Sequence, residues 1–506
     1  KEKMKILWID DEIELLRPFI YFLKDKGYEV REVSNGVDGL NRIKEENFDL
    51  IFVDEMMPGL DGLEVAKKIK NYDPNIFVVM VTKVSDEAFI DEVYANLIDD
   101  FILKPLNPVQ ILAVIKRLLE KKEIFKENLV REYLKILSGI KDFERIEEWY
   151  DFYQQLIKWR EYINRFSLDD LRESYEDILK EGNENFAHFI EENYFYWLKN
   201  NSGPILSHQF FEKFVKPNLN KLPLYWIIFD SLRLDQWLII YNILKEHFLI
   251  RQSFYCSILP SATPYSRNAL LSGLTPEKIF KYYPNYWVFE DMGQNRYEEG
   301  LFQKLLIRER ISLKHFYLKV LKIEDLAEKM DYLLNPDAEI IIIIINFLDF
   351  LIHSAKEGVF IKEIAENEDS LLEFTKLWFN SSLIFQFLKK IKQKGRKIII
   401  TSDHGFIKVK KPTIIHGGKE LSPNLRYKSG GGLIVDKKAA WLLAPKDLEL
   451  PQEFLGEQYA ICKGDYYFIY PTKPKEYEKT YKFTYQHGGI SMQEMILPVG
   501  VLTPLD

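Results

Sequence analysis

Two sets of residues in this chain have the types and spacing to handle phosphate. The first is Asp10, Asp11, Asp54, Thr82 and Lys104; the second is Asp230, Thr263, Asp349, His353, Asp403, His404 and His487. Most of them fall just after a short apolar run, and α/β folds place their chemistry at the carboxyl ends of buried strands. In the first set, three clustered carboxylates repel one another unless a hard cation sits among them. Mg²⁺ suits such oxygen ligands and keeps some of its water. The Thr82 hydroxyl and the Lys104 ammonium could then hold a phosphoryl group on Asp54. In the second set, three His and two Asp are ligands that zinc accepts, and Asp230 makes a sixth. Two metal ions about 3.5–4 Å apart can clamp a phosphate from both sides. Thr263 lies on a turn before a helix expected from about Ser266 to Leu271, whose N-terminus could face an anion. Its hydroxyl is a weak nucleophile until a neighbouring metal lowers its pKa.

The elements that must position these groups can be read from hydrophobic period. Lys5–Ile9, Leu50–Val53, Phe77–Val81 and Phe101–Leu103 are strand-like, and Glu14–Lys24 and Val109–Lys122 read as helices. Continuous apolar runs of this kind belong to parallel strands buried on both faces. Their alternation with helices predicts a doubly wound parallel sheet over residues 1–122. From 123 to 221 the strand signal vanishes. Leu129, Tyr133, Leu134 and Leu137 recur at helical spacing, as do Trp149, Phe152, Tyr153, Leu156 and Trp159. Ser167, followed by Asp169 and Asp170, reads as a helix start. An all-α connector is therefore expected, its aromatics forming core. From 222 to 506, strand-like runs resume at Leu224–Phe229, Glu339–Ile345 and Lys397–Thr401. Tyr466–Tyr470 and the Gly430-Gly431-Gly432 stretch suggest an irregular sheet edge.

Bulk properties narrow the function classes. A chain of 506 residues suggests three domains at roughly 150 residues each. Lys and Arg number 69 and Asp and Glu 77, a net −8 without a basic tail. That argues against broad binding to DNA, which needs Lys and Arg to neutralise phosphates, and no helix-turn-helix with a basic face is evident. Two cysteines argue against a disulfide framework and fit a reducing compartment. The sequence begins Lys-Glu-Lys-Met-Lys and enters a strand at once, so no signal peptide is expected. The most apolar stretch, Ile340–Ile345, is far short of the roughly 20 residues of a membrane span. A soluble cytoplasmic protein without membrane contact is expected.

Over Met4–Leu119 the ordered positions resemble the receiver domain of bacterial two-component response regulators. That resemblance implies a flavodoxin-like fold, with Asp54 as phosphoacceptor for a sensor histidine kinase. It implies Mg²⁺ held by Asp10, Asp11, Asp54 and the Met56 carbonyl. Thr82 and Phe101 would be coupled switch residues, Lys104 would bind the phosphoryl oxygens, and phosphorylation would drive a homodimer through the face near Val84 to Asp100.

From Leu222 onward, Phe229-Asp230-Ser231, Thr263-Pro264-Tyr265-Ser266-Arg267, Asp349 to His353, Ser402-Asp403-His404-Gly405 and His487-Gly488-Gly489 resemble the PglZ branch of the alkaline phosphatase superfamily. One zinc would take Asp230, Thr263, Asp403 and His404; the other would take Asp349, His353 and His487. Thr263 would attack phosphorus in line, and Arg267 would clamp a non-bridging oxygen. A sulfatase is disfavoured, since that chemistry needs an oxidised Cys or Ser where Thr263 stands. The domain order is similar to that of the PorX-like family of response regulators. It implies a zinc-dependent phosphodiesterase acting on nucleotides or short oligonucleotides, cyclic or linear, linked to type IX secretion. The rival reading is a non-catalytic output module that binds a partner such as a sigma factor, with a structural metal site. Arg426 and Lys428, beside the triple glycine, either contact substrate phosphates or lie in a solvated loop. His208 and His416 read as surface or structural residues.

Overall fold

The structure is a computed structural model describing residues 4–73, 76–83, 97–165, 168, 171–200, 202–289, 293, 295–346, 367–417 and 424–505. It divides into two compact units. The first comprises residues 1–138 and 158–175; the second comprises 139–157 and 176–506.

The first unit is built on strands β1 (Lys5–Ile9), β2 (Glu29–Val33), β3 (Leu50–Asp54), β4 (Phe77–Thr82) and β5 (Asp100–Leu103). They form one parallel sheet in the order β2-β1-β3-β4-β5. Successive side chains of a strand point to opposite faces. Trp8, Phe52, Val79 and Val81 accordingly pack with Ile111, Ile115 and Leu118 on one face. Leu7, Ile9, Ile51, Val53 and Met80 pack with Val65, Ala66 and Ile69 on the other. Both faces are covered, which is why these strands read as unbroken apolar runs.

The connector differs from expectation in its limits. The helix expected to close at Lys122 continues without a break over Pro108–Gly139, because Lys, Glu and Leu there are all good helix formers. Among the described residues no strand interrupts 123–221, as expected, and these residues are shared between the two compact units. Trp149, Phe152, Tyr153, Leu156 and Trp159 are buried, as a core reading requires. The side chains of Leu129, Tyr133, Leu134 and Leu137, and the start expected at Ser167, lie outside the described residues.

The second unit centres on β6 (Leu224–Phe229), β7 (Phe248–Cys256), β8 (His315–Val320), β9 (Ile340–Ile345), β10 (Ile398–Ser402) and a last strand, Ile496–Pro504. Their order is β7, last strand, β10, β6, β9, β8. β10, β6, β9 and β8 run parallel, while the last strand is antiparallel to both neighbours. Beneath them lie Trp226, Ile342, Ile344, Ile399, Tyr255 and Phe302, with Phe210 stacked on Trp226 at 5.5 Å and 4°. The glycine stretch falls on Tyr427–Gly431, an edge strand of a small three-stranded antiparallel sheet. Among the described residues, no helix is long and apolar enough to cross a membrane.

Candidate active site and receiver site

In the first unit the carboxyl ends of β1 and β3 deliver Asp10, Asp11 and Asp54, whose ligand oxygens lie within 4.8 Å of one another. Asp10 and Asp54 are buried and Asp11 is exposed. Lys104 Nζ reaches Asp54 Oδ1 at 2.6 Å and Asp10 Oδ2 at 3.4 Å. Burial, and then the charge of Asp54, pushes the Asp10 carboxyl up. Burial also pushes Asp54 up, although Lys104 opposes it. One ammonium does not satisfy three carboxylates, and an all-oxygen donor set with this surplus charge fits Mg²⁺. Thr82 is buried and donates to the Glu55 carboxylate. Phe101 is half-buried beside the Leu7 and Met80 face. Met56 is exposed. Residues 84–96 of the expected dimer face lie outside the described residues. A Cβ at Gly62 would strike the Asp54 carbonyl, so a glycine lets the following helix start against the strand that ends in Asp54.

We expect Mg²⁺ at ten times its dissociation constant to stabilise the receiver by about 1.4 kcal/mol, since it binds only the folded form. Asp10→Asn should stabilise the metal-free receiver by about 1 kcal/mol, by relieving like-charge repulsion, and should remove the Mg²⁺ response. Thermal melts with and without Mg²⁺ check both; an unchanged Mg²⁺ response in the variant would contradict this site.

In the second unit, β6 ends at Phe229 and presents Asp230, and β10 ends at Ser402 and presents Asp403 and His404. Thr263 is the first residue of the helix Thr263–Ser272, which starts earlier than expected with Pro264 in its first turn. These three elements bring four ligand atoms together. Thr263 Oγ1 lies 2.8 Å from His404 Nε2 and 3.5 Å from Asp230 Oδ1. His404 Nε2 lies 3.7 Å from Asp230 Oδ1 and 3.8 Å from Asp403 Oδ2. Tetrahedral zinc with bonds of about 2.0–2.1 Å spaces its ligands about 3.3 Å apart, so the four atoms span a zinc-sized gap. Asp403 and His404 are fully buried, whereas Asp230, Thr263 and His487 are half-buried and form the rim.

The surroundings select which atoms remain available. Ser231 adopts a left-handed backbone, φ 63°, and its N–H donates to Asp403 Oδ1 at 3.2 Å. The N–H of His404 donates to the same oxygen at 3.0 Å. Among the described residues Asp403 Oδ2 is buried and accepts no hydrogen bond, its nearest cation being Arg267 Nη1 at 3.5 Å, an arrangement that a further cation in the gap would relieve. His404 Nδ1 sits 2.9 Å from the Gly405 carbonyl; a carbonyl only accepts, so Nδ1 carries the proton and Nε2 is free to ligate. His487 stacks on His404 at 4.4 Å and 23°, with its Nδ1 buried and unbonded. Burial lowers both imidazoles, His487 to about 3, which keeps them in the neutral, metal-ligating form. Burial, then the charge of Asp230, pushes Asp403 up to about 8. Asp230 is held low despite its burial, chiefly by the Arg267 guanidinium.

Asp230, Thr263, Asp403 and His404 are thus brought together and His487 adjoins them; Asp349 and His353 lie outside the described residues. Two expectations need correction. Arg267 does not reach out as a clamp. It is buried and engaged with carboxylates, Nη1 with Asp230 Oδ2 at 2.7 Å and Nε with Glu298 Oε1 at 2.7 Å. Arg426 and Lys428 are neither substrate contacts nor solvated, for both are buried. Arg426 pairs with Glu494 through Nη2 at 2.6 Å and Nε at 3.0 Å, and Lys428 lies over the Tyr470 ring. His416 is exposed and His208 half-buried, as read.

The supporting residues were missed. Glu494 also accepts from the Gly489 N–H and the Ser491 hydroxyl, while its carbonyl accepts from the Gly405 N–H at 3.0 Å. It therefore ties the His487 loop to the Asp403-His404-Gly405 loop. A Cβ at Gly405 would collide with the Gln493 carbonyl. Asn183, buried on the helix Arg172–Asn200, accepts from the Met492 N–H at 2.9 Å and donates to Gln493 at 3.0 Å. Ser491-x-x-Glu494 is a capping-box spacing that the sequence does display; nothing local marks Asn183 or Glu298.

Residues 210–502 match the family model of the BREX system PglZ alkaline phosphatase-like domain, well over half of the chain. The chain belongs to the PglZ family. Ahead of the PglZ domain, residues 6–116 match the response regulator receiver domain and 120–198 the PorX response regulator linker domain. The whole has the architecture of a PorX-like response regulator, and its fold is a CheY-like receiver, a helical linker and a mixed α/β PglZ domain.

Among curated proteins, the receiver region is 34% identical over 117 residues to the transcriptional regulatory protein ResD of Bacillus subtilis, covering 23% of this chain and 48% of ResD. It is 35% identical over 121 residues to the alkaline phosphatase synthesis transcriptional regulatory protein PhoP of the same organism, covering 24% and 50%. The chain spans about half the length of these relatives. Among solved structures, the Vibrio cholerae chemotaxis protein CheY4 is 27% identical, covering 23% of this chain and 99% of that one, with a TM-score of 0.22.

Proposed function

We propose that this chain is a response regulator whose PglZ domain is a zinc-dependent phosphodiesterase acting on nucleotides or short oligonucleotides. The observation that carries the reading is the convergence of Asp230 Oδ1, Thr263 Oγ1, Asp403 Oδ2 and His404 Nε2 on one zinc-sized gap. These four would hold one zinc, and Asp349, His353 and His487 a second. When bound, zinc would supply positive charge that lowers the pKa of the Thr263 hydroxyl and offsets charge developing on the phosphoryl oxygens.

The remaining work falls to the chain itself. Thr263 Oγ1, its proton given up to solvent, forms a bond to phosphorus as the bond to the leaving oxygen breaks, and the departing alkoxide takes a proton from solvent. Water then cleaves the phosphothreonine, restoring the hydroxyl and releasing the second product. Thr263 opens a helix of 10 residues, so backbone N–H groups of its first turn favour an anion there. Asp403 and His404, fully buried, keep water from the floor of the site, where electrostatic interactions are strongest. The nucleotide class of substrate and the link to type IX secretion rest on the PorX-like architecture.

In the receiver, a sensor kinase would phosphorylate Asp54, with Mg²⁺ on Asp10, Asp11, Asp54 and the Met56 carbonyl, and Lys104 on the phosphoryl oxygens. Thr82 would leave Glu55 for the phosphoryl group and Phe101 would follow. We expect the beryllofluoride mimic with Mg²⁺ to raise the dimer fraction, by as much as the dimer prefers the modified form. Asp54→Ala should keep basal hydrolysis and lose the response. Sedimentation and hydrolysis assays check this; identical mass with and without the mimic would contradict it.

Hydrolysis of a chromogenic phosphodiester, bis(p-nitrophenyl) phosphate, tests the enzymatic reading against a non-catalytic output module binding a partner such as a sigma factor. The enzyme requires zinc-dependent turnover. The module requires none.

A further inference from the structure

Arg267 stands one helical turn after Thr263 and is almost wholly buried, as is Glu298, the first residue of the helix Glu298–Arg308. Arg267 Nη1 lies 2.7 Å from Asp230 Oδ2 and 3.5 Å from Asp403 Oδ2, and its Nε lies 2.7 Å from Glu298 Oε1. The other oxygen of Glu298 accepts from the Tyr317 hydroxyl, with Lys319 Nζ at 3.6 Å. Glu298 is therefore fixed from two sides, and it fixes the guanidinium. The consequence falls on Asp230. Arg267 takes only its Oδ2, while Oδ1 faces Thr263 Oγ1 and His404 Nε2 and also accepts from the Ser231 hydroxyl at 3.1 Å.

We propose that Glu298 is a positioning residue: by anchoring Arg267 at Nε, it makes Asp230 a one-oxygen zinc ligand. A guanidinium left free prefers to fork onto both oxygens of one carboxylate. Without Glu298, Arg267 turns onto Asp230 and competes for Oδ1. With Glu298, Oδ1 stays on the gap beside Thr263 Oγ1 and His404 Nε2. This inference rests on the zinc reading of the site and adds a residue to it that touches neither metal nor substrate.

The test uses the full chain and zinc alone, titrated against a chromophoric chelator, with cobalt substitution as a second readout. Glu298→Gln keeps the shape of the side chain and removes its charge. It is expected to weaken one of the two zinc sites by 10–100-fold, the usual effect of losing a residue that orients a ligand, leave the other unchanged, and alter the visible spectrum of the cobalt form. Tyr317→Phe keeps the ion pair and loosens only the anchor; it should shift the same site in the same direction by a few-fold, and it reads the effect should Glu298→Gln not fold. Wild-type zinc affinity and an unaltered cobalt spectrum in folded Glu298→Gln overturn the proposal, whatever its activity. A wild-type chain that takes up no zinc overturns the zinc reading itself, and this inference with it.

Discussion

Thr263→Ala is expected to lower phosphodiester turnover by several orders of magnitude while the fold and its other metal ligands remain. The substitution removes one hydroxyl at the first position of a helix whose backbone bonds do not depend on it. Among the described residues Thr263 Oγ1 is bonded within the site, to His404 Nε2 at 2.8 Å and Asp230 Oδ1 at 3.5 Å, so the loss to stability should be about 1 kcal/mol or less. The loss to chemistry is of another order, because no covalent intermediate can form without the nucleophile. Thr263→Ser, which keeps the oxygen, should retain substantial turnover. A near wild-type rate in Thr263→Ala would show that water attacks phosphorus directly.

His404→Ala is expected to remove one zinc of two and reduce turnover at least as severely. Its ring is fully buried, offers Nε2 to the gap and stacks on His487. Alanine leaves three ligands, one of them the hydroxyl whose activation depends on the metal. It also opens a cavity, so a cost of about 2–4 kcal/mol in the PglZ domain follows by analogy with other large-to-small changes. Elemental analysis with thermal melting checks both. Full zinc content in this variant would place its ligand role elsewhere.

Much of the site is legible in the chain. Asp54, Asp230 and Asp403 each end or follow a strand buried on both faces, and such strands appear as unbroken apolar runs, Ile340–Ile345 being the plainest. Order along the chain then stands in for order along the sheet edge. Where pairing rather than periodicity decides, the signal fails. The last strand, Ile496–Pro504, contains Pro498, Gly500 and Pro504, a composition that argues against a sheet interior. It nonetheless lies between β7 and β10, where the Pro498 carbonyl accepts from Thr401, and a Cβ at Gly500 would meet Trp237. Arg426 stood beside three glycines and suggested a loop, but its environment is set by Glu494, 68 residues away. Spacing places Arg267 one helical turn after Thr263 but does not show its partner, because Glu298, 31 residues on, reaches it only in the fold. The helix through Lys122 to Gly139 could not be ended from sequence, for no glycine or proline occurs between Pro108 and Gly139 to stop it.

The most direct measurement is zinc content and hydrolysis of bis(p-nitrophenyl) phosphate in one preparation, purified without chelator, then stripped and reloaded. The account predicts about two zinc ions per chain, turnover that vanishes on stripping and returns with zinc, and loss of that return in Thr263→Ala. A folded chain that neither retains nor takes up zinc, or that hydrolyses the ester equally well without it, would contradict it.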